Sequence, residues 1–238
     1  FYKIHIFKTK SLPCKVISVG NITVGGSGKT PTVQYLSNLL QSRGKKVGII
    51  SRGYGRKSKN TVIVTDGKIK PKTWKNFGDE PYMLAKNLDG IPIIVGESRY
   101  EAGIKMITEF NPDIIILDDG FQHLSLYRDL DIVLINSKDT EKSHRLIPLG
   151  LLREPLSNLS RADLVIFTKT NIYKPSQYQE KIKKKIKCPI INNKINIDSI
   201  LLDTKGESHH LKIINSKNIY LFSALGDQEG FKKTMEKT

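Results

Sequence analysis

Lys15-Val-Ile-Ser-Val-Gly-Asn-Ile-Thr-Val-Gly-Gly-Ser-Gly-Lys-Thr-Pro31 is the most informative segment of this chain. A short apolar run ends at Val19, a glycine-rich turn follows, and Gly28-Lys29-Thr30 begins a helical pattern. Glycines let successive backbone N–H groups point at phosphate oxygens, and a helix N-terminus adds a favourable dipole. In such a unit the lysine reaches the β- and γ-phosphates, and the threonine hydroxyl ligates Mg²⁺. The segment therefore predicts a phosphate loop for a nucleoside triphosphate.

The loop departs from the usual pattern at one position. That pattern has a glycine where this chain has Thr23, whereas Gly25 and Gly26 lie inside the loop. A glycine-rich hairpin that carries Gly-Lys-Thr by chance is the alternative, but the flanking strand and helix patterns favour a phosphate loop. Its predicted nucleotide-binding residues are Thr23, Val24, Gly25, Gly26, Ser27, Gly28, Lys29 and Thr30.

Composition and charge limit the function classes. The chain has 238 residues, of which 38% are hydrophobic, and this suits a globular core. No apolar run reaches the roughly 18 residues of a membrane span. The net charge of +16 favours anionic partners such as nucleic acid, a nucleotide or an anionic membrane face. The lysine-rich run 181–187 has no interleaved aromatic residues, which argues against single-stranded nucleic acid.

Short apolar runs alternate with helical patterns. Helices are predicted at 29–43, 79–88, 98–110 and 175–187, and strands at 15–20, 46–50, 61–65, 91–95, 113–118, 131–135, 163–168 and 218–223. Nearly continuous Ile, Val and Leu is typical of parallel strands covered on both faces. We therefore predict an α/β fold like that of P-loop NTPases, a mostly parallel sheet with helices on both faces. A composition shift near residue 170 predicts a P-loop kinase core domain at 1–165 and a smaller, incomplete C-terminal α/β lobe at 166–238.

Two acidic motifs accompany the loop. Ile114-Ile-Ile-Leu-Asp118-Asp119 is an apolar strand that ends in two carboxylates, the Walker-B form that places an Asp near Mg²⁺; an ordinary turn is the alternative. Gln122 and His123 follow on the same turn. Gly78-Asp79-Glu80-Pro81 opens a helix, so Asp79 is either the N-cap or a catalytic base that faces the γ-phosphate.

Two basic motifs complete the set. Arg153 and Glu154 have two interpretations: an exposed ion pair, or an arginine that balances the charge of the transferring phosphoryl group next to a carboxylate near Mg²⁺. Ser51-Arg52-Gly-Tyr-Gly-Arg56 suits an anion, the alternative being a flexible basic loop. His209 and His210 have no third metal ligand at a useful spacing in the sequence, and we interpret them as a solvent-exposed pair.

Taken in order, these motifs resemble those of the tetraacyldisaccharide 4'-kinases, the lipid A 4'-kinases of Gram-negative bacteria, whose phosphate loop also carries the irregular Thr. The resemblance covers about residues 15–160 and continues more weakly to Gly226–Phe231. It implies that ATP, with Mg²⁺, phosphorylates the 4'-hydroxyl of a tetraacylated glucosamine disaccharide 1-phosphate, a lipid A precursor. It also implies a peripheral protein at the cytoplasmic face of the inner membrane, held to an anionic surface, with no nucleic-acid partner.

The resemblance also implies roles for the matching residues. The catalytic set is Asp79, as base, with Lys29 and Arg153. The metal set is Thr30, Asp118, Asp119 and Glu154. Further active-site positions are Gln122, His123 and Arg52.

Two features of the family differ here. Only residues 1–7 remain of a hydrophobic N-terminal helix, and neither His209 nor His210 matches the C-terminal histidine that partners the base. We therefore expect a fragment that lacks both ends.

Two other functions remain open. Thr168-Lys169-Thr170-Asn171 resembles the guanine-reading Asn-Lys-x-Asp of P-loop GTPases of the metal-insertion or regulatory type, although its first and last residues differ. A nucleic-acid binder is indicated by charge alone, without a recognition motif.

Overall fold

The structure, a computed structural model, describes residues 8–56, 59–196, 200–214, 217–218, 220–223 and 226–236. The predicted N-terminal remnant at 1–7 lies outside these residues. The strands are β1 (Lys15–Asn21), β2 (Val47–Ser51), β3 (Val62–Thr65), β4 (Ile93–Val95), β5 (Ile114–Asp118), β6 (Leu130–Asn136), β7 (Leu164–Thr168), β8 (Ile190–Asn192), β9 (Ile200–Leu202) and β10 (Ser208–His210). The α-helices are α1 (Lys29–Ser42), α2 (Asp79–Asn87), α3 (Arg99–Phe110), α4 (Gln177–Lys183) and α5 (Gln228–Met235).

Eight strands form one sheet in the order β3-β4-β2-β5-β1-β6-β7-β8. Its neighbours pair in parallel except β3 and β4, which pair antiparallel. The predicted fold class is confirmed. After β1 the chain builds the β2 side of the sheet, returns to β5, and then builds the β6 side. Crevices for ligands form outside the carboxyl ends of strands at such a reversal, so the topology directs attention to the end of β1.

Alternate residues of the central strands point to opposite faces of the sheet, and both faces are covered. Ile49 and Ile116 pack with α1 and α2 on one face, whereas Ile50 and Ile115 pack with α3 on the other. A third cluster places α4 beside β6 and β7. Burial of the central strands on both faces explains why they read as continuous apolar runs rather than as alternating patterns.

Most predicted elements are observed within two residues of their expected bounds, but the C-terminal part differs. The strand predicted at 218–223 is wrong, because residues 218 and 220–223 form no strand. The helix predicted at 175–187 is shorter, as α4, and the sequence did not predict β8, β9, β10 or α5. These elements are only three to eight residues long, which is too short to show a clear hydrophobic period.

The predicted domain boundary at 165/166 falls inside β7, which together with β8 belongs to the main sheet. Strands β9 and β10 form a separate antiparallel ribbon. The division into two domains stays a prediction. The longest described helix, α1, has 14 residues, and none of the described helices combines the length and apolar character that a bilayer crossing needs.

Candidate active site

The glycine-rich loop is held firmly at the carboxyl end of β1. Gly28, at the start of α1, has φ 88°, a left-handed conformation that favours glycine. The Oγ1 of Thr168 donates to the Ser27 carbonyl at 3.0 Å, and the Nδ2 of Asn136 donates to the Gly26 carbonyl at 3.1 Å. The ends of β6 and β7 therefore support the loop from behind.

Lys29 lies buried at the centre of the site. Its Nζ donates to the Oδ1 of Asn21 at 3.3 Å and lies 3.6 Å from the Oδ1 of Asp119. Thr30 is also buried, at the first turn of α1. The lysine and the acidic tip of β5 thus meet because β1 and β5 are parallel neighbours, with Val19 in register with Asp118.

Asp118 is fully buried. Its Oδ2 accepts a hydrogen bond from Ser51 Oγ at 3.3 Å, and its Oδ1 has no hydrogen-bond partner in the described part of the chain. Burial, with the charges of Glu80 and Asp119, raises the pKa of Asp118 to about 7, against the opposing effects of Lys29 and Ser51. A buried carboxylate oxygen that lacks a partner, beside a hydroxyl and a second carboxylate, fits a hard cation such as Mg²⁺.

Asp119 joins the phosphate loop to Arg153. Both its carboxylate oxygens accept from Arg153 Nη1, at 2.9 and 2.8 Å. Its φ is 56°, a left-handed conformation that Asp tolerates better than most residues and that is common at functional sites. The carboxylate therefore faces two cations, Lys29 and Arg153, across the mouth of the loop.

Arg153 and Glu154 do not pair with each other, so the alternative of an exposed ion pair between them is wrong. Glu154 Oε2 accepts from Arg161 Nη2 at 2.7 Å and from Asn158 Nδ2 at 2.8 Å, while its Oε1 accepts from Gln122 Nε2 at 2.7 Å. Gln122 in turn accepts from Arg153 Nη1 at 3.3 Å. Because both oxygens of Glu154 are engaged, it orders this network, and its role as a metal ligand stays a prediction.

The start of α2 approaches the same cleft. Gly78 is the N-cap of α2, so the alternative that Asp79 is the N-cap is wrong. Asp79 is the first helical residue. Its exposed carboxylate accepts a hydrogen bond from the Glu80 N–H at 2.9 Å. Gly78 has φ 95°, and a Cβ there would lie 2.7 Å from the Tyr54 carbonyl oxygen, so this helix start packs tightly on the Arg52–Arg56 loop. Loss of hydration raises the pKa of Glu80, opposed by Lys29 and reinforced by Asp119 and Asp79.

A group of arginines lies on the side of the cleft away from the phosphate loop. Arg99 is 4% exposed and donates only to the carbonyls of Gly96 and Glu97, and its Nε has no partner among the described residues. Burial and the charge of Arg52 lower the pKa of Arg99 to about 10. In the part of the chain that the structure describes, Arg52, Arg56 and Arg99 form no ion pair with a carboxylate. An anion is the ligand that such a group lacks.

His123 lies against this arginine group and is partly buried. One of its ring nitrogens, Nε2, lies 2.8 Å from Ser125 Oγ. Burial and the charges of Arg99, Arg128 and Arg52 lower the pKa of His123 to about 4, so the ring is neutral at physiological pH. The neutral ring can therefore donate or accept a hydrogen bond with a ligand, but it adds no positive charge to the site.

The structure brings every predicted site residue to this cleft or its rim, and it adds Asn21, Ser51, Glu80, Arg99 and Arg161. Asn21 and Ser51 stood inside the quoted motifs, but nothing local marked their contacts. The prediction that no third metal ligand accompanies His209 is wrong, because Asp203 and Glu207 lie with it at the β9–β10 ribbon, with ligand atoms within 4.8 Å of one another. That exposed group is far along the chain from the cleft and is held by backbone hydrogen bonds to Asp203.

Comparison with known proteins agrees with the geometry. A family model described as Tetraacyldisaccharide-1-P 4'-kinase matches residues 1–238. The tetraacyldisaccharide 4'-kinase of Aquifex aeolicus is 40% identical over 241 residues, which cover 99% of this chain and 71% of that protein. The enzyme of the same name from Geobacter metallireducens is 48% identical over 169 residues, which cover 71% of this chain and 50% of the relative.

A crystal structure of the Aquifex aeolicus protein, LpxK in complex with ATP, superposes with a TM-score of 0.78 at 39% identity, covering 99% of this chain and 71% of that one. The chain thus spans between about half and three quarters of the length of these relatives. The kinase interpretation is confirmed over the GTPase alternative, and ATP with Mg²⁺ agrees with the family. The chain belongs to the tetraacyldisaccharide 4'-kinase family.

Proposed function

We propose that this chain carries the nucleotide and phosphoryl-transfer site of a lipid A 4'-kinase, which moves the γ-phosphate of ATP to the 4'-hydroxyl of a tetraacyldisaccharide 1-phosphate. One observation carries the proposal: Lys29 and Arg153 converge on Asp119 directly beside the glycine-rich loop. In phosphoryl transfer the protein contributes mainly by positioning the reactants and stabilising charge, and this arrangement can do both.

The nucleotide would bind with its phosphates along the loop from Thr23 to Thr30. Thr30, Asp118 and Asp119 would hold Mg²⁺, which neutralises phosphate charge when bound. Lys29 and Arg153 already face the loop mouth, and phosphate oxygens would compete with Asp119 for their hydrogen bonds. Both cations would then stabilise the charge that spreads over the transferring group.

Asp79 is the proposed base for the 4'-hydroxyl. It lies in the first turn of α2 and is exposed, at the cleft mouth where an acceptor would enter. Its neighbour Glu80 has a pKa raised by loss of hydration, with opposing effects of the Lys29 and Asp119 charges. Asp79 is therefore the proposed carboxylate for an incoming hydroxyl.

The arginine group is the proposed site for the phosphate that the acceptor itself carries. After burial, the charges of Arg52 and Arg56 help to lower the pKa of Arg99, and none of the three arginines forms an ion pair with a carboxylate in the described chain. A dianionic phosphate would relieve that repulsion. It would also fix the acceptor with its opposite sugar toward Asp79.

An apolar loop beside the site is the proposed contact with the membrane. Leu149 and Ile147 are 80% and 55% exposed, and Leu146, Leu151 and Val24 add further exposed apolar surface. The loop backbone is pinned, since Val24 N–H donates to the Leu151 carbonyl at 2.7 Å. An ordered loop that presents apolar side chains, in a chain of net charge +16, suits peripheral docking on an anionic bilayer such as the cytoplasmic face of the inner membrane.

Transfer of labelled γ-phosphate from ATP to the tetraacyldisaccharide 1-phosphate in detergent micelles tests the proposed function. We expect a labelled lipid that depends on Mg²⁺ and disappears with Lys29→Ala. The same assay on a version lengthened to match the relatives shows whether turnover needs more chain than these 238 residues. Binding of ATP without any labelled lipid from either version would contradict the proposal.

A further inference from the structure

The C-terminal segment touches the glycine-rich loop. Gly226, just before α5, lies against Gly26: a Cβ built on Gly226 would come 3.4 Å from the Gly26 nitrogen, and one built on Gly26 would come 3.7 Å from Gly226 Cα. Two glycine backbones therefore meet face to face, although they stand at opposite ends of the sequence. The segment from Gly226 to Glu236 is therefore in direct contact with the predicted nucleotide-binding loop.

Asp227 is 8% exposed, and its carboxylate holds this segment in place through several hydrogen bonds. It accepts from Lys138 Nζ at 3.1 Å, from Tyr173 Oη at 2.9 Å and from the Gly230 N–H at 3.0 Å, and it forms a short ion pair with Lys169. Burial opposes ionisation, but these hydrogen bonds hold the pKa of Asp227 well below its usual range. The carboxylate is therefore charged at any physiological pH.

The lysines that hold Asp227 follow the residues that hold the loop. Asn136 and Thr168 donate to the carbonyls of Gly26 and Ser27, and Lys138 and Lys169 come one or two residues later in the chain. Lys169 has φ 62°, an unusual conformation for a side chain of its size, and its Nζ also lies 3.5 Å from the Gly26 carbonyl oxygen. Asp227 thus closes a connection between the ends of β6 and β7 and the glycine-rich loop.

We propose that Asp227 is a positioning residue for the nucleotide, which acts through Lys169 and the Gly226–Gly26 contact to keep the glycine-rich loop in its binding conformation. The proposal rests on the ATP-binding part of the proposed function. It also assigns a role to Thr168–Asn171 and Gly226–Phe231, two motifs that the transfer chemistry leaves unused. Loss of the carboxylate would remove the ion pair of the partly buried Lys169 beside the loop, whereas the exposed Lys138 would keep its pair with Glu229.

Titration of Mg-ATP binding to Asp227→Asn is the central test, because the amide keeps the shape and removes the charge. We expect the dissociation constant and the KM for ATP to rise about tenfold, as for loss of a partly buried charged hydrogen bond. The KM for the lipid acceptor and kcat should stay within about twofold. The matched control is Glu229→Gln, since Glu229 lies in the same helix and also pairs with Lys138 but is exposed and does not contact Lys169; we expect less than about a twofold change.

A double-variant cycle with Lys169→Met shows whether the two residues act through one contact. We expect Lys169→Met alone to weaken Mg-ATP binding about as much as Asp227→Asn, and the double variant to be no worse than either. If Asp227→Asn fails to fold, Lys169→Met carries the test, with the midpoint of thermal unfolding as the check on folding.

Three results would overturn the proposal: unchanged ATP affinity with only a lower midpoint of unfolding, equal losses for ATP and acceptor, or fully additive effects of the two changes. Mg-ATP binding needs no acceptor, so the outcome is independent of lipid phosphorylation. A weakened ATP affinity in a chain that never labels the lipid would support the role of Asp227 while contradicting the proposed function.

Discussion

Replacement of Asp118 by asparagine is expected to stabilise the nucleotide-free protein above neutral pH. The carboxyl is fully buried, one of its oxygens has no partner in the described chain, and its pKa is raised from 3.8 to about 7. Between these two pH values the folded state binds a proton that the unfolded state has lost, so the free energy of unfolding falls as pH rises. A shift of about three pKa units corresponds to about 4 kcal/mol, taken as an upper bound because local relaxation reduces it.

Urea denaturation with EDTA at pH 5 and pH 8 measures this effect. At pH 5 the folded carboxyl is still protonated while the unfolded one has already ionised, so Asp118→Asn should be more stable than wild type by no more than about 1.6 kcal/mol. At pH 8 the variant should be more stable by about 2–4 kcal/mol. Addition of Mg-ATP should then stabilise wild type far more than the variant, since the variant lacks the proposed ligand.

The reasoning would be refuted by a difference in unfolding free energy that is the same at both pH values. Ser51→Ala is the matched control. It removes the hydrogen bond to Asp118 Oδ2 and keeps the carboxyl, so it should lower stability at pH 8 rather than raise it. A rise in stability for both variants would indicate relief of crowding in the site and not the removal of a buried charge.

Three further predictions address the acceptor side of the site. Asp79→Asn should lower kcat for lipid phosphorylation by about 10²–10⁴ while the affinity for Mg-ATP, measured by titration, stays unchanged; near-normal kcat would exclude the base role. Arg52→Gln should raise the KM for the acceptor about tenfold in steady-state assays, and an acceptor without its 1-phosphate should bind wild type and variant equally. Leu149→Asp should weaken sedimentation with phosphatidylglycerol-rich vesicles at least about fivefold, whereas Ile69→Asp, at a comparably exposed site, should not; equal losses would point to general charge effects.

The local chemistry of the site was readable from the sequence. An apolar run followed by Gly25–Thr30 predicts a strand, a loop and a helix within a few residues. This is possible because the conformational freedom of glycine and the start of a helix depend on short-range interactions. The run that ends at Asp118 is equally local. That these two ends meet follows from one general rule, that parallel strands of an α/β sheet gather their carboxyl ends at one edge. The family, the fold class and the cleft were therefore within reach before any coordinates.

Partner choice was decided only by the tertiary structure. Arg153 pairs with Asp119 rather than with its neighbour Glu154, because the loop that carries it crosses the end of β1 and reaches β5. Arg99 is buried beside Arg52 and forms no ion pair with the residues that the structure describes, and the segment of Asp227 reaches the glycine-rich loop from far along the chain. Ionic contacts act over a few ångströms in space, and no periodicity or spacing encodes which surfaces folding will bring that close.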